Sequence, residues 1–173
     1  MDANLVLNVL ALAISTVALA VSGAAANRQL RIAQNSNLIP VIADLFRETR
    51  SSDFLTSVEF IRDRLATAHP GNPAYRELPE DARGHIRRVG LFYDDIGKLV
   101  AHGVVDESLI LGAYGGAVPR MWELVAPYVL TERQKYGTTP MAYFEDLAAR
   151  AQIRTMGGVH QALALRGYAP PRA

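Results

Sequence analysis

The sequence predicts an all-α protein in which one N-terminal transmembrane helix precedes a small cytoplasmic bundle of about five helices. Three observations support this. Residues 5–26 (LVLNVLALAISTVALAVSGAAA) carry no charge, the rest of the chain repeats apolar side chains three and four residues apart, and no stretch alternates long enough to build a sheet. With 173 residues, 50% of them hydrophobic, the chain can bury a core without cross-links. Eighteen Lys and Arg against seventeen Asp and Glu leave a net charge of +1, which favours neither nucleic acid nor an acidic substrate as partner. The lack of cysteine excludes disulfides, thiolate zinc sites, iron–sulfur clusters and cysteine nucleophiles.

At about 1.5 Å per residue, residues 5–26 reach roughly 33 Å, near the roughly 30 Å of a bilayer's hydrocarbon. Leu and Val throughout, with Ile14, should outweigh Asn8 and the hydroxyls of Ser15, Thr16 and Ser22. A cleaved signal peptide would use the small residues at 24–26, but the region before the apolar stretch holds Asp2 and no basic residue. An Ala-rich buried helix is the other alternative, and the uncharged stretch is longer than such segments usually are. Arg28 and Arg31 follow the span and no Lys or Arg precedes it, which places the C-terminal domain on the cytoplasmic side of the inner membrane and residues 1–4 outside. Asn4, Asn8, Ala11, Ser15, Ala18, Ser22, Ala25 and Gln29 recur at spacings of four and three, a seam of small or polar residues on one face. Besides membrane lipid, the partners this implies are a second copy or another membrane protein docked on Asn8, Ala11, Ser15, Ala18 and Ser22; chance in an Ala-rich segment is the competing explanation.

Residues 27–37 read as a polar helical stalk, residues 38–154 as the helical domain and residues 155–173 as a loose tail. Leu38, Val41, Ile42, Leu45 and Phe46 form a helical apolar face that Pro40 should start or kink. Ser51, Ser52 and Asp53 offer N-caps for a helix with Phe54, Val58, Ile61 and Leu65 on one face, ended by His69, Pro70 and Gly71. The central helix should run over residues 79–103, with Ile86, Val89, Tyr93, Ile96 and Val100 inward and Phe92 and Leu99 broadening the stripe. Gly90 and Gly97 within it suggest close approach of another helix, since glycine costs a helix about 1 kcal/mol relative to alanine. Asp106 should cap a short helix to Leu111, and Pro119 should open a longer one to Tyr136 that Pro127 bends. Thr139 and Pro140 read as the cap and first residue of the last clear helix, which buries Met141, Phe144, Ala148 and Ala151; residues 159–165 add a turn or two of weak helix.

Candidate chemistry is sparse. Asp94 and Asp95 adjoin Tyr93, and Asp94 stands four residues before Lys98, but adjacent helical positions point about 100° apart, so the two carboxylates do not converge. His69, His85, His102 and His160 have no metal-ligand spacing, the GAYGG stretch at 112–116 lacks the lysine and strand of a phosphate loop, and no Gly-x-Ser-x-Gly elbow occurs. No catalytic, cofactor or metal residue is therefore assigned. Arg83, Arg87 and Arg88 could meet an anionic lipid or a partner, or form a wet face answered by Glu80 and Asp81. Trp122, beside Met121 and Val125, fits core packing better than an interface. A pocket between helices would draw on Tyr93, Asp94 and Arg120.

Residues 91–105 (LFYDDIGKLVAHGVV), 122–133 (WELVAPYVLTER) and 144–150 (FEDLAAR) resemble a bacterial family described as a domain of unknown function, numbered four-seven-six-zero. The resemblance implies an all-α cytoplasmic domain behind one membrane helix and implies no activity. The expected function is a membrane-tethered interaction or scaffold protein; the alternative is a membrane-bound small-ligand sensor or enzyme with its pocket between the helices.

Overall fold

The computed structural model describes residues 12, 15–19, 21–23 and 39–167, and the chain divides into two compact units, Met1–Arg47 and Glu48–Ala173. Within the apolar N-terminal stretch, residues 15–19 and 21–23 are helical, and Leu12, Val17, Leu19 and Val21 are exposed. Among the described residues no helix is long and apolar enough to cross a membrane. That finding corrects the transmembrane helix expected at residues 5–26, and with it the single-pass placement in the inner membrane. Absence of charge over a stretch rich in Ala and Ser is a weaker signal than a continuous helix of large aliphatics. Ser15, Ala18 and Ser22 of the small-residue seam lie on exposed helical positions, whereas Asn8 and Ala11 lie outside the described residues, as does the stalk at 27–37. A helix covers residues 39–48 and includes Pro40 in its first turn.

The second unit is all helical among its described residues. Its elements are α1 (Ser52–Asp63), α2 (Leu65–Ala68), a 3-10 turn (Tyr75–Glu77), α3 (Glu80–Ala101), α4 (Glu107–Tyr114), α5 (Ala117–Tyr136), α6 (Ala142–Ile153) and α7 (Met156–Ala162). Ser51 caps α1 by accepting from Phe54 N, and the chain leaves helical geometry at Arg64, splitting in two the single helix expected there. Tyr128 of α5 then donates its hydroxyl to the carbonyls of Leu65 and His69, at 3.3 and 3.2 Å, closing the open end of α2.

α3 is the centre of the unit: it packs on α1, α5 and above all α6. Its inward stripe of Ile86, Val89, Tyr93, Ile96 and Val100 is buried as the spacing requires. A Cβ on Gly97 would lie 2.7 Å from the Tyr143 carbonyl carbon, and one on Gly90 2.6 Å from Met141 Sδ, so both glycines admit the start of α6. Gly84 is different, since a Cβ there meets nothing within 4 Å. Gly84→Ala should therefore stabilise the fold by about 0.5–1 kcal/mol, read as a rise in the urea midpoint with unchanged slope.

The start of α6 departs from expectation. Thr139 and Pro140 precede the helix, and the residue in the cap position, Met141, sits in the left-handed region at φ 56 with no side-chain cap bond. The cap comes from α3 instead, where Asp94 Oδ1 accepts from Tyr143 N at 2.9 Å and Phe144 N at 3.1 Å. Met141, Phe144, Ala148 and Ala151 are buried. α4 runs through Gly112 to Tyr114 rather than stopping at Leu111, and α5 begins two residues before Pro119, at Ala117. Thr155 caps α7, which packs on α4 and buries Val159, so the short helix expected over 159–165 within the tail begins earlier, at Met156, and ends at Ala162.

Glu132, buried on α5, holds the 3-10 turn: its carboxylate accepts from Arg76 N at 3.0 Å and Arg76 Nε at 2.6 Å. The Arg76 guanidinium also covers the Tyr136 ring at 3.8 Å. Glutamine at 132 would keep an acceptor for the amide but lose the ion pair to a half-exposed arginine. Glu132→Gln should cost about 1 kcal/mol, measurable by urea unfolding.

Candidate functional site

The outer side of α3 follows from its length and amphipathicity. A helix of 22 residues packed on α1 at one flank and α6 at the other leaves one long stripe to solvent. Grooves flank that stripe. The larger, about 760 Å³, lies between α1 and α3 and includes Glu48, Asp53, Thr56, Asp81, Arg88 and Asp95; the smaller, about 460 Å³, lies between α3 and the 139–143 segment. Arg87 and Leu91 line both grooves and therefore form the crest between them.

Ion pairs dress this face. Arg83 and Arg87 both pair with Glu80, while Arg88 reaches Asp53 at 3.4 Å and Glu48 at 3.7 Å. The arginines expected to meet a lipid or partner are thus answered by acids on the same surface, and they diverge: Arg83 turns to Glu80 and the Arg76 carbonyl, Arg88 to α1. Such exposed pairs contribute at most about 1 kcal/mol each, so they exchange readily for other partners.

Asp94 and Asp95 separate as their 100° offset demands. Asp94 points in, with 8% of its side chain exposed, and Asp95 points out at 68%. Lys98 Nζ joins them at 3.0 Å from Asp94 and 2.9 Å from Asp95. The hydrogen bonds to Asp95 first and Asp94 second hold the ammonium's pKa above its ordinary value. Asp94 has one oxygen on two α6 amides and the other on Lys98, so it is fully engaged in holding the fold. Of the pocket residues anticipated from sequence, Asp94 lines the smaller groove. Tyr93 is buried against Phe144, with ring centroids 5.0 Å apart, and burial pushes its phenol pKa up. Arg120 is exposed on α5, and neither groove includes Tyr93 or Arg120.

One contact escaped the sequence. In the larger groove His85 Nδ1 lies 3.0 Å from Ser57 Oγ, and Phe60 stacks on the imidazole at 4.4 Å. Ser57 donates to the Asp53 carbonyl at 2.8 Å, so the ring Nδ1–H is the donor to Oγ. With its proton on a backbone carbonyl and 2% exposure, Ser57 is a buried strut and not a nucleophile. The available signal was its place in the buried stripe Phe54, Ser57, Ile61, Leu65, spaced three, four and four. Trp122 meets Phe144 edge-on at 5.1 Å, in keeping with a packing role. Among the described residues no three His, Asp or Glu side chains are grouped to hold a metal ion.

Fold and face together define an all-α domain built round one central helix whose outer stripe is charged and accessible. The chain belongs to the family described as Domain of unknown function (DUF4760), whose model matches residues 7–151. No curated protein and no solved structure matches it.

Proposed function

We propose that the protein is a helical interaction or scaffold module whose contact face is the outer stripe of α3 with the groove beside α1. The observation that carries this is the crest: Leu91, 44% exposed, stands between two grooves and among charges of both signs on one rigid helix. An apolar anchor rimmed by exchangeable ion pairs fits a protein contact, in which the apolar centre supplies affinity and the charges set orientation. The partner suited to it is a helix of mixed charge. The competing pocket reading loses support because Asp94, its chief polar group, is committed to the α6 cap.

A photo-crosslinking amino acid at position 91 of the full chain, in its native host, tests this. The expected result is a discrete protein adduct from position 91 that Arg88→Asp diminishes, with none from the same probe at Ile153, which is 88% exposed. Absence of any adduct at position 91 would overturn the proposal.

A further inference from the structure

The outer stripe of α3 consists of Glu80, Gly84, Arg87, Leu91, Asp95, Lys98 and His102, the last standing as the helix cap. Successive spacings are four, three and four on either side of Leu91, so the stripe maps onto itself when reversed about that residue. Its chemistry does not merely repeat on reversal; it complements. Glu80 falls opposite His102, Gly84 opposite Lys98, Arg87 opposite Asp95 and Leu91 opposite Leu91, and no two like charges face.

We infer that the partner is a second copy of this chain, with the two α3 helices packed antiparallel about a twofold axis at Leu91. This rests on the interaction reading above and specifies its partner. A twofold contact requires a self-complementary patch, in which residue i meets j and j meets i, and the antisymmetry of charge about Leu91 meets that requirement. Gly84 is an independent observation. It weakens the helix, and unlike Gly90 and Gly97 it admits no neighbour among the described residues, since a Cβ there would meet nothing within 4 Å. In the antiparallel register it faces Lys98 of the other copy and gives the long side chain room. Arg87, Asp95 and Lys98 keep 56%, 68% and 44% of their side chains exposed, so pairing across the axis does not require a buried charge to be uncovered. Charge pairs on such a rim fix register and speed association, with Leu91 and the groove walls supplying the apolar contact.

The full chain has no cysteine, so a single introduced thiol reports cleanly. Leu91→Cys, on the axis, should oxidise to a disulfide-linked dimer, because the two Cα atoms fall within the roughly 4.4–6.8 Å that a disulfide spans. Ile153→Cys, at a position more exposed than Leu91, should not do so under the same conditions. By sedimentation velocity Arg87→Asp should weaken the dimer by roughly tenfold or more, since each copy loses an attraction and gains a repulsion. Arg87→Asp with Asp95→Arg should restore it, and circular dichroism of each variant verifies the fold. A monomer at all concentrations, equal cross-linking at positions 91 and 153, or a dimer indifferent to the charge swap would each overturn the inference. A position-91 photo-adduct with a different protein alone would overturn it too while leaving the interaction reading standing; no adduct at all would remove both.

Discussion

Asp94→Ala is expected to destabilise the protein by about 2–4 kcal/mol, the sum of a lost helix cap and two α6 amides left without an acceptor in a buried position. The carboxylate accepts from Tyr143 N and Phe144 N, and Met141, in the cap position, offers no side-chain bond to replace it. Asp94→Asn separates the contributions. Its carbonyl oxygen keeps the amide bonds, and only the pairing with half-exposed Lys98 is lost, so its cost should stay near 1 kcal/mol. Urea unfolding of both variants checks the order. Equal losses would mean that the ion pair, not the cap, is what α6 requires.

Gly97→Ala is the second large effect, at about 3 kcal/mol. The added methyl would be built 2.7 Å from the Tyr143 carbonyl carbon and 3.1 Å from Tyr143 Cβ, and the backbone of α6 can yield only by moving the whole helix start. Gly90→Ala meets the sulfur and terminal methyl of Met141, the flexible end of a side chain, and should cost markedly less. Thermal and urea unfolding of the pair would show it; a Gly90 variant as damaged as the Gly97 variant would contradict the account of α6 docking.

Both effects explain which parts of the fold were legible in sequence. The inner stripe of α3 was readable because periodicity reports burial directly, and the glycines pointed to close approach because they cost the helix something that only a neighbour repays. The α6 start was not readable. Thr139 and Pro140 form a good local cap signal, but the acceptor that wins is Asp94, 49 residues from Tyr143 in sequence. The acidic pair was rightly divided by its angular offset, and the inward member, Asp94, is the one spaced four residues from Gly90 and three from Gly97, on the face of close approach. Ser57 and His85, 28 residues apart, were invisible for the same reason. The N-terminal stretch misleads in another way: lack of charge suggests a span, although small Ala side chains occupy many of its positions, and among the described residues no helix is long and apolar enough to cross a membrane. The arginines were readable as a wet face, but their destinations depend on α1 and the 3-10 turn crossing nearby.

The central claim is that the crest of α3 meets the same crest of a second copy about Leu91. A nitroxide on a cysteine at position 91 of the full chain, read by electron paramagnetic resonance, tests it most directly. The account predicts dipolar broadening at position 91 that disappears when labelled chains are diluted with unlabelled ones and is absent from a label at Ile153. A position-91 spectrum unchanged by dilution, or broadening at 153 alone, would contradict it.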